Sequence, residues 1–161
     1  MTDDMNFTLS KEGEEKIGTL LKRYPSTRAA LLPALWLVQD EAGWISDEAA
    51  EYVAAKLDLP AAEVYGTLTF YTMFNRRKLG RHHIEVCTNI CCWLKGSEEI
   101  LTYLKAKLGI NEGETTEDGK FTLSTVECLG ACGEAPMMMV DLEYYGDLTH
   151  DKIDEILKSL N

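Results

Sequence analysis

Two pairs of cysteines constrain this chain more than any other feature: Cys87 with Cys92 in VCTNICCWLKG, and Cys128 with Cys132 in VECLGACGEAP. Small or flexible residues flank each pair, Thr88, Asn89 and Gly96 at the first and Gly130, Ala131 and Gly133 at the second. Loops of this kind can each present two sulfurs to one point and turn backbone N–H groups toward the same sulfurs, as a thiolate-held metal requires. The stretch from 87 to 132 therefore reads as a metal site. The rest of the chain reads as its housing and docking surface.

Three chemistries fit the residue types. The C-x4-C and C-x3-C pairs can each place two thiolates on a 2Fe–2S cluster, where a two-iron rhomb takes two ligands per iron. Four thiolates can also hold structural zinc, which uses C-x2-C to C-x4-C knuckles. Zinc is commonest where a domain lacks a core, and this half has strands and helices enough to fold alone, so the spacing favours iron. Thiol catalysis is the third reading, but the redox C-x-x-C is missing. Cys91 is the surplus thiol and competes with Cys92 for the second ligand position. His82, His83 and His150 are weak ligand candidates, since a lone histidine on or near a strand is usually a sheet or surface residue. Met137, Met138 and Met139 alternate in direction if they form a strand, so they read as core rather than as soft ligands.

Composition narrows the setting. The formal charge of −11 argues against nucleic acid, which basic surfaces bind. The charge is uneven: residues 1–78 carry 9 Lys+Arg against 12 Asp+Glu, and residues 79–161 carry 7 against 15, or −8. The cysteine half is thus the acidic one, and a negative field makes a cluster harder to reduce. Five cysteines without a signal-like start argue against a disulfide framework. The opening MTDDMN is acidic, and no apolar run approaches the ~20 residues of a membrane span, so a cytoplasmic chain without membrane insertion is expected.

The pattern predicts an α+β chain in two parts, a helical bundle over 1–78 and a second domain over 79–161. Ser10 caps a helix with Ile17, Leu20, Leu21 and Tyr24 on its apolar face, stopped at Pro25. A second helix runs from Thr27 to about Glu41 and ends at Gly43. Ser46 caps a third with Ala50, Val53, Ala54 and Leu57 inward, and Pro60 is the first position of a fourth. FYTMF (70–74) is either bundle packing or a partner contact, and Arg76, Arg77, Lys78 and Arg81 form a basic cluster beside it. Beyond Gly80 a strand runs into Cys87, Ser97 caps a helix, and 111–120 is a loop. Strands follow over 121–127, 137–140 and 144–148, then a helix capped by Thr149. The order β-α-β-β-β-α makes the first two strands parallel and the last two antiparallel, which is thioredoxin-like. Both Cys segments then follow the C-terminal ends of neighbouring parallel strands, where open α/β sheets place ligand sites.

Four segments in order, LPALWLVQDEAGWIS, VYGTLTFYTMF, VCTNICCWLKGS and VECLGACGEAPMMMV, resemble the E-subunit family of bacterial NADH–quinone oxidoreductase, respiratory complex I. The resemblance covers nearly the whole chain. It implies a helical part followed by a thioredoxin-like ferredoxin domain with one 2Fe–2S cluster on Cys87, Cys92, Cys128 and Cys132, leaving Cys91 as the extra residue. It also implies an electron-transfer role beside an F subunit that carries FMN and the NADH site, in the peripheral arm of a membrane-bound complex. No G-x-G-x-x-G opens a helix here, so no NADH or flavin site is expected in this chain. An equivalent subunit of an NAD-reducing hydrogenase or formate dehydrogenase, or a structural zinc module, remains the alternative.

Overall fold

Ser10 opens the first helix, α1 (Lys11–Arg23), its hydroxyl accepting a hydrogen bond from the Gly13 N–H at 3.1 Å. The computed structural model describes residues 7–160, so the acidic Asp3 and Asp4 lie outside the described residues. Ile17 of α1 is fully buried, whereas Tyr24 follows the helix and is exposed. A 3-10 turn (Arg28–Ala30) leads into α2 (Leu31–Ala42), so the second helix proper starts later than Thr27. Pro33 accordingly sits in the first turn of α2, where no N–H partner is lost. Gly43 ends α2 with φ +81°, a conformation that a Cβ would strain. Ser46 caps α3 (Asp47–Leu57) through the Ala49 N–H at 3.1 Å. Pro60 proves to be the N-cap, not the first residue, of α4 (Ala61–Phe70).

Leu35, Val38, Val53, Leu57 and Val64 of these helices share one core. Each such side chain contributes about 1.5–3 kcal/mol on burial. Among the described residues of this unit, Gln39 is the buried polar one. Its Nε2 donates to the Met73 carbonyl at 3.0 Å and its Oε1 accepts from the Asn75 N–H at 2.6 Å. That pair of bonds fixes the segment after α4 to α2. Phe74 therefore enters the same core, while Phe70, Tyr71 and Met73 stay exposed.

A second compact unit begins at Leu79. Its sheet has the order β2-β1-β3-β4, from β1 (His82–Cys87), β2 (Phe121–Val126), β3 (Met138–Val140) and β4 (Glu143–Tyr145). β1 pairs parallel with β2, and β3 antiparallel with both β1 and β4. The last strand is shorter than predicted, and Leu148 beyond it is a core residue rather than a strand residue. Between β1 and β2 run a short helix α5 (Ile90–Leu94) and α6 (Ser97–Leu108). The N-cap of α6 is Gly96 at φ +91°, so Ser97 is not the cap; it is the first helical residue and fully buried. α7 (His150–Ser159) closes the chain, capped by Thr149 through the Lys152 N–H at 3.2 Å. One face of the sheet, Ile84, Val86, Leu123, Met138 and Val140, shares a core with Ile100 and Leu104 of α6 and Ile153 and Ile156 of α7.

Asp154 ties α7 to α6, accepting from the Tyr103 hydroxyl at 2.8 Å and from Lys107 Nζ at 2.9 Å. The bond from Lys107 first, and that from Tyr103 second, hold its carboxyl below the ordinary aspartate range. A folded-state value below the unfolded one means stabilisation that is present above the ordinary range and lost as pH falls through the lowered value. Asp154→Asn is expected to flatten the acid limb of stability, read from thermal melts between about pH 6 and about pH 3.

Candidate metal centre

β1 ends at Cys87 and β2 at Val126, and the parallel register sets these two residues side by side. Both cysteine segments therefore leave the sheet at the same end. The Thr88 N–H and hydroxyl both bond to the Val126 carbonyl, at 3.0 and 3.2 Å. Just before β3, the Met137 carbonyl accepts the Cys87 N–H at 3.1 Å. The Cys87 thiol reaches the Glu127 carbonyl at 3.9 Å, next to Cys128. Sequence positions roughly 40 residues apart thus become neighbours.

The first pair is not held in an open loop as expected. After Asn89, whose side chain accepts from the Ile90 N–H at 2.9 Å, the chain turns into α5, which carries Cys91 and Cys92. Cys92 points inward and is buried with Cys87, Ala135 and Met137 in a small apolar floor, while Cys91 is half-buried. The second pair is more open: Cys128 and Cys132 are exposed, Cys132 opening a single 3-10 turn (Cys132–Glu134). Gly130 at φ +76° bends the segment so that its N–H donates to Cys128 Sγ at 3.3 Å.

Thiols crowd one another here. Burial first, then the neighbouring Cys87, push the Cys92 thiol up to about 11, against the opposing effect of a hydrogen bond from the Met137 backbone. Cys132 is also raised, first by the adjoining Cys91, then by burial and by Cys128. A thiol built to be a nucleophile is lowered instead by a nearby cation or helix N-terminus. Crowded thiols without such relief suit metal coordination, because a bound metal ion deprotonates its thiol ligands outright. Cys92 is raised by Cys87 and, more weakly, by Cys132, and Cys132 in turn by Cys91 and Cys128, so the two cysteine segments act on each other. Among the described residues no three Cys, His, Asp or Glu side chains already form a closed metal cage. The donor set, two thiols from each of two abutting segments, still fits a two-iron cluster.

The histidines sit elsewhere. His82 Nδ1 bonds to Asp141 Oδ2 at 2.6 Å, His83 Nε2 to Ser124 Oγ at 2.9 Å, and His150 stacks on Tyr103. Of the three methionines, Met138 is in the sheet core and Met139 is half-buried on the other face of β3, while Met137 precedes the strand and is buried beside Cys87 and Cys92. Sequence reasoning missed the Met137 backbone as a donor to Cys92, and it missed the tight seat of Gly146 against Glu134. The Glu134 carbonyl accepts the Asp147 N–H at 2.6 Å, and the Pro136 carbonyl accepts the Leu148 N–H at 3.0 Å, clamping the second cysteine segment from behind. A Cβ at Gly146 would stand 2.8 Å from the Glu134 carbonyl oxygen. Gly146→Ala is therefore expected to destabilise the second unit by about 1–3 kcal/mol through overpacking, measured by denaturant unfolding. No local sequence signal marks that glycine.

Residues 17–161 match the family described as thioredoxin-like 2Fe-2S ferredoxin. The chain is 46% identical over 158 residues to the E subunit of NADH-quinone oxidoreductase from Rickettsia conorii, covering 96% of this chain and 95% of that protein. It is 47% identical over 145 residues to the second E subunit of NADH-quinone oxidoreductase from Rhizobium meliloti, covering 90% and 86%. Among solved structures, a chain of an NAD+-reducing NiFe-hydrogenase superposes with a TM-score of 0.70 at 22% identity. That match takes in 81% of this chain and 22% of the longer hydrogenase chain, and it speaks for the fold.

Proposed function

The chain belongs to the thioredoxin-like 2Fe-2S ferredoxin family, and from that premise we propose that it is the electron-transfer subunit of an NADH–quinone oxidoreductase. The observation that carries the reading is the identity to the E-subunit proteins, which spans both units of the chain. Cys87, Cys92, Cys128 and Cys132 are the ligands of one 2Fe–2S cluster, and Cys91 is not. The inward position of Cys92, facing Cys87 on the apolar floor, supports its choice over Cys91. When bound, the cluster supplies one-electron transfer. The protein's part is to hold four sulfurs in a partly dry site and to offer N–H groups to them. Gly130 N–H donates to Cys128, and the Met137 backbone to Cys92.

Replacement of each cysteine by serine in turn tests the assignment. Iron content and visible absorption are expected to fall in the four ligand variants and to persist in Cys91→Ser. Loss in Cys91→Ser with retention in Cys92→Ser would reverse the pair. The purified wild-type protein is expected to be red-brown and to bleach with dithionite. A colourless, zinc-containing protein would end the redox reading.

All four ligands are thiolates, and the surrounding half carries −8. Both features favour the oxidised cluster, whereas the two N–H donors work against them. The midpoint is expected near the roughly −400 mV of plant-type ferredoxins or not far above it. Redox titration with EPR detection measures it; a value above zero would mean that the amide bonds outweigh the charge.

The partner in this reading is the F subunit that binds FMN and NADH, and the chain lies in the peripheral arm of the complex. In keeping with that place, no described helix is long and apolar enough to cross a membrane. The first unit, residues 1–78, serves docking. Exposed Phe70, Tyr71 and Met73 stand beside Arg76, Arg77 and Lys78 in sequence, the aromatic-and-Arg mix that interfaces favour. Each unit has its own core, so a fragment lacking 1–78 is expected to keep its colour and to lose co-purification with the partner. A fragment that keeps both would leave the first unit without a docking role.

A further inference from the structure

The five cysteines divide by burial, and the division cuts across the four proposed ligands. Cys87 and Cys92 are buried at 3% and 1% exposure, whereas Cys128 and Cys132 are exposed and Cys91 is half-buried. Cys91 precedes Cys92 on α5, and successive helical residues point about 100° apart, so the two thiols leave one backbone in different directions. Cys92 turns to the apolar floor, while Cys91 adjoins Cys132 on the abutting segment. Cys91, Cys128 and Cys132 are therefore an outer set of reachable thiols, and Cys87 with Cys92 an inner pair.

A cluster brought to this site by a carrier meets the outer set first. Cys92 cannot take part at that stage, because its thiol is shut in with Ala135 and Met137. We infer that Cys91 is the entry ligand: with Cys128 and Cys132 it receives the incoming 2Fe–2S cluster, and it then yields its place to Cys92. The inference rests on the functional reading above and gives the surplus thiol a role in loading rather than in the finished site. The exchange balances with no change of oxidation state. Cys128, Cys132, Cys91 and Cys87 each displace one carrier thiolate from iron and pass it their proton. In the last step an Fe–S bond to Cys91 breaks, one to Cys92 forms, and the Cys92 proton moves to Cys91. Four carrier thiols have then left, four Fe–S bonds join the chain, and Cys91 is a thiol again.

The build of α5 permits that last turn. At five residues it is far below the length at which a helix holds by itself. Cys92 is the residue that α5 buries, and Ile90, Trp93 and Leu94 join no core, so little packing fixes the helix in one rotation. Gly96, at φ +91°, separates α5 from α6, so the short helix can turn without dragging the longer one.

The test loads the cluster-free full chain anaerobically from a 2Fe–2S cluster held by four glutathione thiolates, and follows entry by visible circular dichroism. Cys91→Ser and Cys91→Ala are each expected to load about tenfold more slowly than the wild type, because a buried thiol must then come out before a third bond forms. Their final iron content, absorption and EPR spectrum are expected to equal those of the wild type. Cys92→Ser is expected to gain the signal at the wild-type rate and then lose it to a chelator, since entry is intact and the final ligand is missing. Loading of both Cys91 variants at the wild-type rate overturns this inference alone, as does a Cys92→Ser chain that never gains the signal. Slow loading that accompanies a lowered thermal midpoint in both Cys91 variants also overturns it, as damage to the fold. A wild-type chain that takes up no cluster, or a Cys91→Ser chain that cannot keep one, overturns the ligand assignment and this inference with it.

Discussion

The parallel pairing of β1 with β2 is the constraint on which the candidate site depends. Parallel neighbours demand a long crossover, which α5 and α6 supply, and a crossover of this kind returns the chain so that both strands point the same way. Each strand then releases its cysteine segment at the same edge of the sheet. With Cys87 opposite Val126, the first sulfur comes level with the start of the second segment. A register shift of one residue would turn Ile84 and Val86 away from the core they share with Leu123, so the apolar face of the sheet also locks the alignment of the sulfurs.

At that end of the sheet the two cysteine pairs sit in different settings. The first pair is half sunk in an apolar floor with Ala135 and Met137, and the second lies open. Burial and mutual crowding keep the Cys92 and Cys132 thiols protonated more tightly than free thiols. Such a site gains little as a set of free thiols and much as a set of ligands, because a metal removes the protons and the repulsion together. With a cluster held there, the acidic half of the chain and the N–H groups at Gly130 and Met137 would act in opposite senses on its potential.

The helical unit has a different physical logic. Its core of Leu35, Val38, Val53, Leu57 and Val64 closes on itself, and Gln39 uses both ends of its amide to hold the strand-free segment after α4 in place. A buried amide with both partners satisfied adds direction where apolar contact adds only attraction. Phe74 is drawn inward by that clamp, and Phe70 four residues earlier is left outside.

Much of this was legible in the residues. Alternation at Ile84 and Val86, caps at Ser10, Ser46 and Thr149, and the two cysteine pairs gave the element order and the ligand candidates, because those signals are local: a pleat, a hydroxyl near a free N–H, a spacing. The fates of Phe70, Tyr71 and Phe74 were not legible, since the same aromatic run suits a core or a contact until Gln39 fixes the backbone. Nor were α5 as a helix, the Met137 backbone as a donor to sulfur, or the tight seat of Gly146 against Glu134. Each of these depends on residues distant in sequence. The order of residues was enough to say which atoms are available to hold a metal and which strands carry them. Folding in three dimensions was needed to turn Cys92 to the floor and Trp93 to the solvent, because one short helix can turn only one side toward the core.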